Sequence, residues 1–434
     1  MKKRIATALI SVLACTLAAG CGGSPAPSEE KLPPAATSTP EVPAKPVTLK
    51  LFIAPAVPEE YYEKRIAEPI RSKFPHITLE RIARGPKLAE LLASGNAPDI
   101  IFDGLTNLTP TLELDIPLSL DDLVKKHKFD LSKIDPGVLK EIRSYSKNGE
   151  LVAWPQMTYL WALHYNKDIF DLFGIPYPKE GSTWEDLSEL AVKLSRTHEG
   201  IEYRGFSPST AHNRLQTQLS APYVDPRTEK SVIGANAGWR KLFQFYKDVY
   251  SIPGNYPAGS KYNDAGKAFN VDKKMAMYPN LLTLPDPAKG MNMGLTTYPF
   301  FKDKPWVGPS GFMEVMVVSK TSKNPDVAFQ VVAHLTSDEV QINNAKLGSI
   351  PVVTNPDAIK NLYAGNPLAK GIDFAPFFKL KPAESYGKTI HDAAGSKAII
   401  KYLQEYIAGS IDLNTALNKA DEELNMSVDE QKNK

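Results

Sequence analysis

The 434-residue chain reads as an α/β protein of two or three domains. Length is the first observation behind that reading, because domains usually hold about 100–200 residues. The second is a repeated alternation of short β-patterned and helix-patterned segments after residue 47, which favours sheets with parallel strands and right-handed crossovers. The third is composition: 42% hydrophobic and 23% charged residues are the proportions of a globular body with ample core.

Val47-Thr48-Leu49-Lys50-Leu51-Phe52-Ile53 alternates with period two and reads as a strand. Glu59 to Phe74 is a helix on spacing, with Tyr62, Ile66 and Ile70 on one face and Pro75 ending it. Ile77 to Ile82 is a second strand, Leu88 to Ser94 a short helix closed by Gly95, and Asp99 to Phe102 a short buried strand. In such sheets ligands sit beyond the C-terminal strand ends, here near 54–57 and 103–106. Leu151 to Tyr165 is an apolar, aromatic run broken by Pro155. Trp184 to Ser195 is a helix capped by Ser182 or Thr183, with Glu185 and Asp186 suited to the positive end of its dipole. Helices are also expected at Ala237–Tyr250, Asp326–Leu335 and Lys397–Ile407, and a strand at Met313–Ser319. No internal repeat of 20–50 residues is present.

The N-terminus has the pattern of an address label. Lys2, Lys3 and Arg4 precede an apolar run from Ile5 to Ala19, then small residues Ala18-Ala19-Gly20 before Cys21. Residues 1–20 read as a signal peptide and Cys21 as the residue that is lipidated after cleavage, because Ala-Gly-Cys resembles the bacterial lipobox. Ala18 stands where that motif usually carries Leu, and Cys15 is a weaker second candidate; an ordinary cleaved signal with an incidental cysteine is the alternative. Residues 21–47 follow as a tether rich in proline, including Pro25, Pro27, Pro33, Pro34, Pro40, Pro43 and Pro46. Such a segment favours extended polyproline geometry and, at about 3 Å per residue, reaches roughly 70 Å. An acyl chain contributes about 0.8 kcal/mol per buried CH2, so two or three chains hold a protein on a membrane durably. The expected location is extracytoplasmic, on the cell membrane.

Charge and cysteine content narrow the chemistry. Basic side chains number 51 against 49 acidic. Loss of Lys2, Lys3 and Arg4 leaves 48 against 49, too balanced for a nucleic-acid-binding surface. Cys15 and Cys21 are the only cysteines, so the body past the leader has no disulfide, thiolate nucleophile or cysteine metal site. The seven histidines show no metal-ligand spacing, and no phosphate-binding glycine loop or GxSxG elbow occurs. Neither cofactor nor metal is expected. A glycosidase carboxylate pair leaves no fixed sequence spacing and stays open. The supply of 18 Tyr, 17 Phe and 5 Trp suits a cleft that stacks on sugar rings, although most aromatics build cores.

Several stretches then carry a resemblance. Ser94-Gly95-Asn96-Ala97-Pro98-Asp99-Ile100-Ile101 comes first, followed by Gly149-Glu150-Leu151-Val152-Ala153-Trp154-Pro155 and Tyr165-Asn166-Lys167-Asp168-Ile169-Phe170. Thr183-Trp184-Glu185-Asp186-Leu187, Lys274-Met275-Ala276-Met277, Lys304-Pro305-Trp306-Val307-Gly308 and Gly348-Ser349-Ile350-Pro351-Val352 follow in order. Together these resemble family 1 extracellular solute-binding proteins of bacterial ABC importers, the maltose-binding-protein-like group. The likeness spans about residues 48–425.

That resemblance implies a two-lobed α/β fold of the periplasmic-binding-protein type, each lobe a mixed sheet flanked by helices, with three crossings between lobes. The crossings fall near 156–161, 308–311 and 350–354, marked by Pro155, Gly308, Pro309, Gly311 and Pro351. Lobe 1 is then 48–157 plus 310–351, and lobe 2 is 160–308 plus 354–434. It further implies a monomer that captures a small solute, a sugar and in particular an oligosaccharide, and passes it to the transmembrane subunits of an ABC permease. A cell-surface sugar hydrolase, or a receptor for a peptide or other solute, is the alternative.

Ligand-binding candidates sit at the crossings and strand ends. Tyr159 stands where the maltose-binding member places an acidic residue, flanked by Gln156 and Thr158. Trp154 and Trp161 share that junction. Tyr278 and Asn280 follow the Lys-x-Ala-Met stretch, and Trp306 and Ser310 lie at the second crossing. Asp103 and Asn107 lie past a strand end. Trp184 and Trp239 are expected in the core.

Overall fold

The computed structural model describes residues 45–433 apart from 83–84, 86, 209–211, 258–259, 311 and 385. Cys21, the signal sequence, the tether up to residue 44 and Gly311 therefore lie outside the described residues. Among those described, no helix is long and apolar enough to cross a membrane.

Two five-stranded mixed sheets organise the chain. The first has the order β2-β1-β3-β13-β4. Its strands are β1 (Val47–Ile53), β2 (Ile77–Ile82), β3 (Ile100–Gly104), β4 (Trp154–Thr158) and β13 (Met313–Val318). β1 pairs in parallel with β2 and β3, with Leu51 opposite Ile100 and Ile53 opposite Phe102. β13 closes the sheet antiparallel to β3 and β4. Every residue of β3 and β13 is buried, as expected of central strands covered on both faces.

The second sheet has the order β11-β5-β10-β7-β6. It uses β5 (Trp161–Asn166), β6 (Arg196–His198), β7 (Ile201–Phe206), β10 (Met275–Leu281) and β11 (Met293–Thr297). Two-residue strands complete the set: β8 (Val224–Asp225) with β9 (Lys230–Ser231), and β12 (Val307–Gly308) with β14 (Lys381–Pro382).

Each sheet has its own core. Leu49, Ile66, Phe102, Trp154, Val317 and Phe329 belong to the first, and Trp184, Phe206, Trp239, Phe243, Leu403 and Leu424 to the second. Trp184 and Trp239 are thus core residues. The Trp184 helix (Trp184–Leu194) starts with a capping box in which the Asp186 N–H donates to Thr183 Oγ1 at 3.1 Å and the Thr183 N–H to Asp186 Oδ2 at 2.8 Å. A long terminal helix, Leu413–Lys432, packs Leu417 and Leu424 into the same core; its pattern carried no expectation.

The segment 59–73 is three pieces rather than one α-helix, with a π turn at Glu63–Ala67 between Glu59–Tyr62 and Glu68–Lys73. Pro69 has no N–H to give the carbonyl four residues back, and a register shift before it relieves that conflict. The buried face of Tyr62, Ile66 and Ile70 survives the shift.

The chain passes between the two cores three times. β4 ends at Thr158 in the first sheet and β5 begins at Trp161 in the second. Phe301 lies in the second core and Met313 back in the first. The third passage comes later than the expected 350–354. Ile350 bridges Thr158, Val353 bridges Ile134, and Ala358 still packs in the first core. Leu380 is the next residue packed against the second core. The delay is sterically anchored: Gly348 has φ +91°, and Tyr363 folds back so closely that a Cβ at 348 would overlap its ring.

Candidate functional site

Between the lobes lies a cavity of about 610 Å³. Asn107 and Tyr145 face it from the first lobe, Arg214, Gln216, Lys388 and Asp392 from the second, and Trp161, Ser310 and Phe312 from the passages. A volume of that order and a lining drawn from two lobes are the usual form of a small-molecule cleft.

Local structure places each group. Asp103 is the last residue but one of β3 and is 7% exposed; its carboxylate accepts the Gly104 N–H at 2.7 Å and the Asn107 amide at 3.3 Å. Burial pushes the Asp103 pKa up, and the carboxylate acts on the cavity by orienting Asn107. The Ser310 N–H donates to Thr217 Oγ1 at 3.2 Å, tying the second passage to the helix His212–Gln218. That helix carries Arg214, whose guanidinium carbon lies 4.7 Å from the Trp161 ring centroid.

The two lobes also touch away from the chain passages in sequence. The Lys388 N–H donates to the Ser144 carbonyl at 3.2 Å, and Lys147 pairs with Glu229 at 2.7 Å. Lys388 Nζ donates to the Tyr386 hydroxyl at 2.7 Å. Burial lowers the Lys388 pKa while Asp392 and Glu141 pull it back up. Asp392 is raised by burial, with Lys388 and the Thr389 hydroxyl at 2.8 Å opposing.

A second cavity, about 710 Å³, is bounded by Thr158 and Tyr159 of the first passage, Gly308 and Pro309 of the second, and Ile350 and Pro351 of the first lobe, with apolar Phe377 and Leu380 at the far end of the third passage. Trp161 lines both cavities. The Tyr159 hydroxyl donates to Glu314 at 3.0 Å, and its ring lies 5.8 Å from Phe312. Glu314 also accepts from Tyr61, and burial raises its pKa.

The expected ligand residues therefore separate. Asn107, Trp161 and Ser310 line the inter-lobe cavity, and Thr158 and Tyr159 the passage cavity. Tyr278 and Asn280 line neither; they border a third cavity of about 210 Å³ inside the second lobe, where Tyr278 stacks on Phe269 at 5.3 Å. His164 braces that wall. It accepts the Thr283 N–H at Nε2 and gives its Nδ1 proton to the Tyr278 carbonyl, each at 3.1 Å. Burial holds this imidazole neutral, with its pKa lowered to about 4.

Three expectations are corrected. Trp154 is 0% exposed, wedged edge-on between Phe129 and Phe329, with Nε1 donating to Thr336 Oγ1 at 3.2 Å. Gln156 is also 0% exposed, because the helix Asp338–Lys346 covers β4 and Gln341 donates to the Gln156 carbonyl at 2.9 Å. Trp306 packs on Phe300 and against Gly181, within its own lobe. Strand burial on both faces accounts for the first two.

Arg214, Tyr145, Phe312, Lys388 and Asp392 escaped the sequence reading. None sits in a motif, and only the meeting of lobes gives them a common purpose. No cluster of three or more metal-ligating side chains occurs among the described residues.

Comparison with known proteins agrees with this architecture. The ABC substrate-binding protein Lmo0181 from Listeria monocytogenes, in complex with cycloalternan, matches with a TM-score of 0.69 at 16% identity, covering 88% of this chain and 99% of that one. CpMnBP1 with mannotriose bound matches at 0.70 and 19% identity, covering 87% and 100%. In sequence, the sn-glycerol-3-phosphate-binding periplasmic protein UgpB of Brucella abortus is 26% identical over 188 residues, 41% of this chain and 42% of that protein. The chain thus aligns with less than half the length of the curated relatives it matches. Residues 63–342 match the family described as bacterial extracellular solute-binding protein, and the chain belongs to that family.

Proposed function

We propose that this protein is a lipid-anchored receptor that captures a carbohydrate between its lobes, without altering it, and delivers it to an ABC importer. The observation that carries the reading is the inter-lobe cavity, in which Trp161 offers an aromatic face while Asn107, Gln216 and Ser310 offer polar groups. Aromatic faces pack on the C–H faces of sugars and the amides and hydroxyls bind the ring substituents. Ligand would bridge two half-sites and shift the population towards the closed form, which a permease then recognises. The cycloalternan and mannotriose complexes of structural neighbours support a sugar. Asp392 is the one carboxylate among the described lining residues, which favours capture over glycoside hydrolysis by a carboxylate pair. Cys21 would carry the lipid, and the protein would work as a monomer.

The test is a thermal-shift screen against mono- and oligosaccharides, with peptides as controls. A ligand at a hundredfold excess over Kd stabilises by about 2.7 kcal/mol, so melting should rise by several degrees. Trp161→Ala should abolish the rise while the ligand-free protein still melts cooperatively. Peptides shifting the melting point while every sugar fails would remove the carbohydrate assignment. Cys21→Ser should release the protein from membranes into the soluble fraction; continued membrane retention would remove the anchor.

A further inference from the structure

We infer that the solute carries an oxyanion, a phosphate or carboxylate attached to the carbohydrate, and that Arg214 is the group that selects it. This inference rests on the reading of the inter-lobe cavity as the solute site. Three cations line that cavity, Arg214, Lys388 and Lys397, against the single carboxylate of Asp392. Lys388 has its counter-charges: Asp392 and Glu141 both act on it electrostatically. Arg214 has none. Its guanidinium makes no hydrogen bond or ion pair with any described residue, although the side chain is half-buried beside the Trp161 indole. The other described guanidinium groups each have an acceptor, as where Arg143 pairs with Asp121 at 2.6 Å and Arg204 with Asp264 at 2.9 Å.

A half-buried cation without a partner costs stability unless something neutralises it. The planar fork of arginine matches carboxylate and phosphate in two parallel hydrogen bonds, a match that neutral hydroxyls cannot repay. The contact with Trp161 restrains the guanidinium before the ligand arrives, so less side-chain entropy is lost on binding. The Trp161 Nε1 proton is buried with no acceptor among the described residues, and the neighbouring Tyr298 hydroxyl, its ring 5.7 Å away, is likewise unpartnered. Tyr298 lies in the core behind Trp161, so of these groups it is the Arg214 cation that stands on the cavity wall, with no acceptor among the described residues. Ser310 and Asn107 lie on the same cavity for the uncharged part of the solute.

Calorimetric titration of the full chain tests this with glucose, glucose 6-phosphate, glucuronate, maltotriose, trigalacturonate and inorganic phosphate. At least one sugar phosphate or uronate should bind tenfold or more tighter than its neutral counterpart, and which one does so identifies the oxyanion. Arg214→Gln should cost that ligand at least tenfold, Arg214→Lys should recover part of the loss, and added salt should weaken the wild type more than Arg214→Gln. Unliganded melting curves verify that both variants fold. Neutral sugars binding as tightly as charged ones would overturn the anion assignment and leave the sugar receptor standing. Inorganic phosphate binding as tightly as glucose 6-phosphate would overturn the claim that a carbohydrate bears the charge. Failure of every carbohydrate to bind would overturn this inference together with the reading beneath it.

Discussion

The Tyr159 hydroxyl donates to the Glu314 carboxylate at 3.0 Å, joining the first passage between lobes to the strand that follows the second. Glu314 is 7% exposed and depends on Tyr61 and Tyr159 for its hydrogen bonds. Removing one donor from a buried carboxylate leaves it partly unsatisfied, at a cost of about 1.5–3 kcal/mol. Tyr159→Phe should lower the urea midpoint accordingly with the slope unchanged. An unchanged midpoint would mean that solvent replaces the lost hydroxyl.

The contact between Lys147 and Glu229 predicts an effect on lobe closure. Glu229 also pairs with Lys432 at 3.2 Å, and the two lysines lower its pKa to about 2. Its folded pKa lies below the ordinary value of 4.5, so the contribution is complete above pH 4.5 and is lost as pH falls towards 2. The pairs are exposed, so each is worth less than about 1 kcal/mol. Glu229→Gln should leave the melting temperature nearly unchanged while enlarging the ligand-free radius of gyration in X-ray scattering. Equal radii for both proteins would show that this pair does not hold the lobes together.

Two buried histidines set an acid limit. His164 and His212 are neutral in the fold, each lowered by burial from 6.5 to about 4. The unfolded chain binds protons first, so their contribution is complete above pH 6.5 and erodes between pH 6.5 and 4. The shift corresponds to roughly 3 kcal/mol per histidine at the acid end. Asp103, Glu141, Glu314 and Asp392 are raised by burial and oppose this trend, since acid relieves their charge. The cleaner measurement is therefore a difference: stability of wild type minus His212→Gln, which should shrink across that window. A pH-independent difference would show that His212 titrates alike in both states.

Gly348→Ala should be among the most damaging single-methyl changes in the chain. The backbone there is left-handed, and the new Cβ would overlap Tyr363, which holds the start of the third passage. We expect a loss of about 2–4 kcal/mol in chemical denaturation. Gly348→Ala combined with Tyr363→Ala should recover part of it, because the ring is the steric partner. No recovery would place the whole cost in the backbone angle.

Much of the architecture was legible in the order of residues. Val47–Ile53 and Ala237–Tyr250 have the expected bounds because period-two and period-3.6 patterns record which face is buried. Thr183 and Asp186 announced a helix start because the cap is made within four residues. The third passage was misplaced because Gly348 and Pro351 look like a hinge locally, while what keeps Val353 and Ala358 in the first lobe is packing against segments distant in sequence.

The sequence by itself determined the α/β alternation and the family likeness, both written in local periodicity and short motifs. Only tertiary structure decided which polar groups share a cleft. Trp154 and Trp161 stand seven residues apart in one apolar run, yet covering helices bury the first and the gap between lobes leaves the second at a cavity wall. Arg214, Lys388 and Asp392 carry no pattern at all; they meet Trp161 because two separately folded cores are set face to face, and no local rule encodes that distance.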